Sequence, residues 1–261
     1  MREISRSEAG ILAPLFSSFH DHLLHSYLDG CMGQGWADDP VSPKWGKVVV
    51  GDFGFLAGMP SADAVRELPP LMVATPGWER AIFQAHPETR AIQRYAMDHP
   101  SPFDPELLQR YVCSLRKEYR LAQIDEALYH QSLTRKETKD FVSVFDDWDH
   151  YHRQGAGFVA LLEDGIVGGA SSYAVYHGGI EIQVETLPEH RRKGVALACC
   201  AQLILHCLEH GLYPSWDAAN LQSVALAQKL GYRMKAPYTA YFSPTERGKN
   251  GPEPPLLMAK P

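Results

Sequence analysis

The spacing of hydrophobic positions changes period along this chain. Two apolar runs, Phe158-Val159-Ala160-Leu161-Leu162 and residues 166–173, flank Glu163-Asp164-Gly165, which spells strand, tight turn, strand. His177-Gly178-Gly179 turns the chain again, and Ile180-Glu181-Ile182-Gln183-Val184-Glu185-Thr186 alternates apolar and polar side chains as a half-buried strand does. After Pro188 the period becomes helical. Leu197, Cys200, Leu203, Ile204, Cys207 and Leu208 share one face of residues 194–210, and Gly211 supplies a C′ stop. Residues 212–217 read as a strand, Asn220 caps a helix running to Leu230, Gly231 ends it, and Tyr232 returns to extended backbone. The predicted order is β-β-β-α-β-α-β, opening with a three-stranded antiparallel meander.

The preceding half is less regular. Residues 12–28 have helical spacing, residues 30–47 are rich in Gly, Asp, Pro and Trp, and Val48-Val49-Val50 reads as a short buried strand. Residues 78–97 read as a helix through Ile82, Ile92 and Tyr95; His99-Pro100-Ser101-Pro102 interrupts, and a second helical pattern follows at 105–115. The expected fold class is α/β with a mixed sheet. An accessory α/β domain spans 1–115, a second domain 116–242, and a partly mobile tail 243–261, with Leu256-Leu257-Met258 docking locally.

Composition narrows the function classes. With 261 residues and 45% hydrophobic positions the chain can bury a substantial core, and 25 basic against 31 acidic residues leave a net charge of −6, which argues against a nucleic-acid partner. No run approaches the ~20 apolar residues that cross a bilayer, and the first residues lack a signal-peptide core, so a cytoplasmic protein without a membrane partner is expected. Cysteines 31, 113, 199, 200 and 207 form no CxxC pair and read as reduced core thiols. His20, Asp21, His22 and His25 have no matching Cys or carboxylate pair, and no metal is expected. The run Phe145-Asp146-Asp147-Trp148-Asp149-His150-Tyr151-His152 reads equally as a cationic-amine site or as a polar helix end.

The stretch that carries chemistry is Thr186-Leu187-Pro188-Glu189-His190-Arg191-Arg192-Lys193-Gly194-Val195-Ala196, joining a predicted strand to a predicted helix. The first turn of a helix has N–H groups without internal partners and a partial positive charge, and small residues at 194 and 196 let a phosphate approach them. Arg191, Arg192 and Lys193 add positive charge, although a basic loop is also an ordinary solvated surface.

Arg191-x-x-Gly194-x-Ala196 resembles the Arg/Gln-x-x-Gly-x-Gly/Ala motif of the GCN5-related N-acetyltransferase (GNAT) family. Asn220-x-x-Ser223, followed by Leu226-Ala227-Gln228-Lys229-Leu230-Gly231-Tyr232, resembles the family's motif B. Trp216-Asp217-Ala218-Ala219-Asn220 is similar to a bacterial subgroup related to zwittermicin A resistance acetyltransferases. The clear resemblance covers about residues 157–242. It implies a GNAT fold and acetyl-CoA as co-substrate. The diphosphate would sit on the backbone of Arg191, Arg192, Lys193, Gly194, Val195 and Ala196, and the pantetheine beside Val184, Glu185 and Thr186, with Asn220 and Ser223 on its other side. A backbone N–H near Glu185 would polarise the thioester carbonyl.

The implied reaction is acetyl transfer to a primary amine of a small molecule by direct attack, with Glu181 and Glu185 as base candidates on one strand face; both also read as solvated strand residues. Ala227 stands where many relatives carry the tyrosine that protonates the leaving thiolate, which leaves the acid unassigned. Tyr232, Tyr213 and Ser223 are substitutes to consider. A non-catalytic acyl-CoA sensor is the alternative, and the oligomeric state, a homodimer included, is open.

Overall fold

The computed structural model of the chain describes residues 1–19, 21–99 and 102–244. It divides into two compact units, one of Met1–Ala96, Ala218–Leu221 and Ala236–Pro261, the other of Met97–Asp217 and Gln222–Lys235. Both units contain strands and helices, and among the described residues no helix is long and apolar enough to cross a membrane. The expectations for residues 245–261, including docking of Leu256-Leu257-Met258, lie outside the described residues, as does His20.

The first unit holds β1 (Arg2–Ile4), α1 (His22–Leu28), β2 (Gln34–Ala37), β3 (Trp45–Val50), β4 (Phe53–Gly58), β5 (Leu71–Ala74), α2 (Glu79–Ala85) and most of β6 (Arg90–Asp98). Its meander β1-β2-β3-β4 is antiparallel, β4 pairs parallel to β5, and Tyr241 of the C-terminal strand returns opposite Met72 of β5. Trp45, Leu56, Val65, Met72, Trp78, Ile82 and Tyr241 close one core over this sheet. The helix expected over 78–97 is half helix and half strand. Pro87 stands between α2 and β6, and a proline has no N–H to continue a helical ladder. After a 3-10 helix at Arg6–Ile11, the helical spacing of 12–28 resolves into a run of turns containing Pro14 and then α1, whose first turn is capped by the Asp21 carboxylate at 2.9 Å from the Leu23 N–H.

The second unit contains α3 (Pro105–Cys113), β7 (Arg120–Gln123), α4 (Glu126–Leu133), α5 (Trp148–Gln154), β8 (Gly157–Leu162), β9 (Gly165–Tyr176), β10 (Gly179–Thr186), α6 (Val195–Glu209), β11 (Tyr213–Ser215) and most of α7 (Leu221–Leu230). The division falls at 96/97 rather than near 115 because α3 packs on α6, which seats residues 105–113 with the second unit. Two further strands are β12 (Asp217–Ala218) and the ten-residue β13 (Arg233–Phe242). One sheet runs β1-β2-β3-β4-β5-β13-β6-β12 and the other β11-β10-β9-β8-β7.

The expected meander is present, with β8, β9 and β10 antiparallel. Its first turn bends through Glu163 at φ 54° and its second through Gly178 at φ 79°. A further strand, β7, pairs antiparallel to β8; its four residues are too short for a period to register in the sequence. Ser171 on β9 ties the unit together from a fully buried position. Its hydroxyl donates to the Phe141 carbonyl at 2.7 Å, and the Tyr151 hydroxyl donates to it at 3.0 Å.

Helix α6 is apolar over more than one face. Cys199, Cys200 and Ala201 are consecutive and fully buried because the sheet covers one side of the helix and α3 another. Two members depart from the expected stripe: Leu208 faces solvent and Leu197 is half-buried. Burial pushes the Cys199 and Cys207 thiols up to about 12, so both stay protonated and inert. All five cysteines are free, but Cys113 is exposed and Cys31 half-buried, so the core-thiol expectation holds for 199, 200 and 207 only.

Candidate functional site

Strand β10 has two unequal edges. Along one it pairs with β9 over its whole length, from Gly179 opposite Tyr176 to Thr186 opposite Gly168. Along the other it pairs parallel to β11 for three residues only, Gly179 with Tyr213, Ile180 with Pro214 and Glu181 with Ser215. Beyond Ser215 the chain leaves β10: the Trp216 carbonyl accepts from the Met97 N–H at 3.3 Å, and β12 joins the other sheet. The result is a fork between β10 and the β11 segment, open over residues 182–186.

Backbone parity decides which groups face the fork. Leu187 donates its N–H to Val167 on the β9 side at 2.9 Å, whereas Tyr213 donates to the carbonyl of Gly178 at 2.8 Å on the β11 side. Because N–H and C=O directions alternate along a strand, Ile182, Val184 and Thr186 point theirs into the fork, and Gln183 and Glu185 point theirs at β9. The amide facing the fork at mid-strand is therefore that of Val184, which corrects the sequence expectation for Glu185. The Thr186 N–H is taken by the Glu185 carboxylate at 2.9 Å.

Glu181 closes the fork. The next rung of a parallel ladder would carry the Asp217 N–H to the Ile182 carbonyl; instead Asp217 donates to Glu181 Oε1 at 2.9 Å, and Ser215 donates its hydroxyl to Glu181 Oε2. The same hydroxyl lies 2.9 Å from the Ile180 carbonyl. The Glu181 side chain is buried, 7% exposed, and these hydrogen bonds help compensate the desolvation of a carboxylate. Glu185 has a different environment: Arg191 Nη2 lies 3.2 Å from its Oε1, while Arg191 Nε donates to the Thr186 carbonyl at 3.0 Å. The structure thus brings Glu185, Thr186 and Arg191 together and holds Glu181 apart from them, so the solvated reading fails for Glu181 and is incomplete for Glu185.

The loop from β10 to α6 ends in two left-handed residues, Arg192 at φ 59° and Gly194 at φ 88°. For Arg192 that conformation is costly, and such turns let successive N–H groups converge on an anion. Gly194 is the N-cap of α6, and a Cβ built there would meet no heavy atom within 4 Å. The first intrahelical bond runs from Ala198 to Gly194 at 3.0 Å, so the N–H groups of Val195, Ala196 and Leu197 precede the ladder. Arg191 and Arg192 are exposed, and Lys193 and Ala196 half-exposed, whereas Val195 is buried beneath them. Beside the loop, Thr186 Oγ1 is buried with no hydrogen-bond partner among the described residues. A cradle open at Gly194, an orphan hydroxyl and an open strand edge fit an extended ligand with a diphosphate at one end and amides along its length.

Two features of this site carry no sequence signal. Gly168 on β9 lies so close beneath it that a Cβ would stand 2.9 Å from the Glu185 carbonyl oxygen and 2.8 Å from Val195 Cγ1. Tyr119 is buried and its hydroxyl lies 2.9 Å from His190 Nδ1, anchoring the loop just before Arg191. At the other motif, Trp216 Nε1–H donates to Ser223 Oγ at 3.1 Å, and Asn220 immediately precedes α7. Ala227 is fully buried. Tyr232 is buried too, and its hydroxyl donates to the Pro214 carbonyl at 2.6 Å, which makes it a brace under β11. The acidic run also serves structure: Asp147 caps α5 through the His150 N–H at 2.7 Å, and Asp146 lies 3.3 Å from the His150 ring.

The family model described as GNAT acetyltransferase matches residues 13–241. A crystal structure of a GCN5-related N-acetyltransferase-like protein from Streptococcus suis 89/1591 is 37% identical with a TM-score of 0.86, covering 90% of this chain and 98% of that one. A tandem GNAT protein from the clavulanic acid biosynthesis pathway shares the fold, with 12% identity, a TM-score of 0.55 and coverage of 92% and 96%. Among curated proteins, the uncharacterized N-acetyltransferase YdfB of Bacillus subtilis (strain 168) is 32% identical over 131 residues, 49% of this chain. The match spans about half the length of that relative, 50%.

Proposed function

Because the chain belongs to the GNAT acetyltransferase family, we propose that it transfers an acetyl group from acetyl-CoA to a primary amine of a small molecule by direct attack of the neutral amine on the thioester. The observation that carries this reading is the fork: an outer edge of β10 that, among the described residues, has no strand partner at 182–186, leading to the N-terminus of α6 at Gly194. When bound, acetyl-CoA supplies the activated acyl group.

The chain's own groups divide the remaining work. The amides of Val195, Ala196 and Leu197, with Gly194 leaving room, receive the diphosphate, and Arg191, Arg192 and Lys193 surround it with positive charge. Val184 offers an N–H and a carbonyl to the pantetheine as a strand partner would, and its N–H is the donor that meets the developing negative charge on the thioester oxygen. Thr186 Oγ1 has hydrogen-bonding capacity left for the same ligand. Ser223, whose Oγ accepts from the Trp216 Nε1–H, and Asn220 complete the coenzyme-binding set.

Glu181 is the base of choice. Its carboxylate, held by the Ser215 hydroxyl and the Asp217 amide at the closed end of the fork, takes the ammonium proton through water. Glu185 is second, since Arg191 already engages it. The resemblance to zwittermicin A resistance acetyltransferases directs the acceptor search to small amine-bearing compounds. The test is incubation with acetyl-CoA and a panel of polyamines, aminoglycosides and amino sugars, with free thiol as readout. Thiol release that depends on the acceptor supports the proposal; tight coenzyme binding without release across the panel overturns it.

A further inference from the structure

The last turn of α6 carries a group of side chains at the opposite end of the helix from Gly194. His206, Glu209 and His210 each present a ligand atom, and these atoms lie within 4.8 Å of one another. The spacing i, i+3, i+4 puts all three on one strip of the helix. We infer that His206, Glu209 and His210 form a binding site for a divalent transition metal ion of the Zn2+ class.

Three observations beyond the spacing support the assignment. First, His210 Nδ1 lies 2.8 Å from the backbone carbonyl of His206. A carbonyl only accepts, so Nδ1 carries the proton and Nε2 keeps its lone pair, the arrangement by which a backbone acceptor orients a metal-binding imidazole. Second, the two imidazole rings lie 4.1 Å apart at 30°, and the His206 ring also stands edge-on to Phe158 at 5.7 Å. Third, the group sits at the C-terminal end of a 15-residue helix, where the unpaired carbonyls favour positive charge.

The geometry needs only side-chain adjustment. An ion about 2.0–2.1 Å from each donor at a tetrahedral angle requires donors roughly 3.4 Å apart, and rotations of exposed Glu209 and His210 side chains cover that difference. Two imidazoles and one carboxylate are a donor set that Zn2+ accepts, with a position left for water. An ion held there clips the last turn of α6 just before Gly211, whose φ of 67° leads the chain toward β11.

The test uses the full chain, stripped with a chelator and titrated with ZnCl2 by calorimetry and with CoCl2 by visible absorption, beside His206→Ala, His210→Ala, Glu209→Gln and a His25→Ala control. The expected result is one equivalent of Zn2+, affinity at least 10-fold weaker in either histidine variant and several-fold weaker in Glu209→Gln, and no change in His25→Ala. Cobalt should give the intense visible bands of a low-coordinate site. Imidazole 1H–15N spectra of the unmodified protein, in which only His206 and His210 should shift with stoichiometric Zn2+, decide the matter even if a variant folds poorly. A dissociation constant weaker than about 0.1 mM, undiminished binding in both histidine variants, or shifts at other histidines instead overturns the assignment.

Discussion

Glu181 Oε1 accepts the N–H of Asp217 at 2.9 Å and so occupies the place where a further rung of the β10–β11 ladder would form. The carboxylate is both a wedge that ends strand pairing and the buried acidic group at the closed end of the fork. Glu181→Gln keeps the size but removes the charge and presents an NH2 group to one of two donors. We expect a loss of about 1–3 kcal/mol in stability, measured by urea denaturation, together with a large fall in kcat. If Glu181 is only a wedge, the variant retains the pH profile of the unmodified enzyme; if it is the base, the shape of that profile changes.

Gly194→Glu puts bulk and negative charge into the open space before α6. Acetyl-CoA binding by calorimetry should vanish, while the backbone strain of a side chain at φ 88° costs about 1–2 kcal/mol. Gly194→Ala pays a comparable strain without the charge and separates the two effects: it should retain more affinity than the glutamate variant. Equal affinities for the glutamate variant and the unmodified protein would refute the cradle.

Ser171 is a test of the core. Replacing it with Ala leaves the buried Tyr151 hydroxyl and the Phe141 carbonyl without this partner. Burial raises the Tyr151 phenol far above its usual range, so ionisation offers it no escape. The expected cost is about 1–3 kcal/mol in urea denaturation. Adding Tyr151→Phe to the Ser171→Ala background should cost less than Tyr151→Phe alone; strict additivity of the two substitutions would show that the contact carries no coupling.

Acid should destabilise the protein through its histidines before its carboxylates titrate. Burial lowers His99, and burial followed by His210 lowers His206. The unfolded chain takes up these protons near the ordinary value of about 6.5, the folded chain only at lower pH, so stability is complete above that value and is lost as pH falls through the window beneath it. The urea midpoint, measured with a chelator present, should fall between pH 7.5 and 5.5, and His206→Gln should flatten part of that fall. A midpoint that rises on acidification contradicts the assignment.

Much of the second unit was legible because its signals are local. The two-residue turn at Glu163, the alternation along β10, the glycines at 194, 211 and 231 with φ of 88°, 67° and 112°, and the burial of Cys200, Leu203 and Cys207 each depend on residues a few positions apart. The same locality misled the reading of 78–97, where Ile92 and Tyr95 suit a helix but Pro87 ends one and β6 follows.

The sequence by itself determined the order of elements from β8 to α7, the small residue before α6 and the basic loop, since backbone sterics and periodicity act over one or two turns of chain. Tertiary structure alone decided where β10 and β11 part, that Val184 rather than Glu185 points its amide into the gap, that Glu181 is bonded to Ser215 and Asp217, and that α3 belongs with α6. These outcomes depend on pairing between residues more than thirty positions apart, and on which neighbour satisfies each buried polar group, neither of which a local pattern encodes.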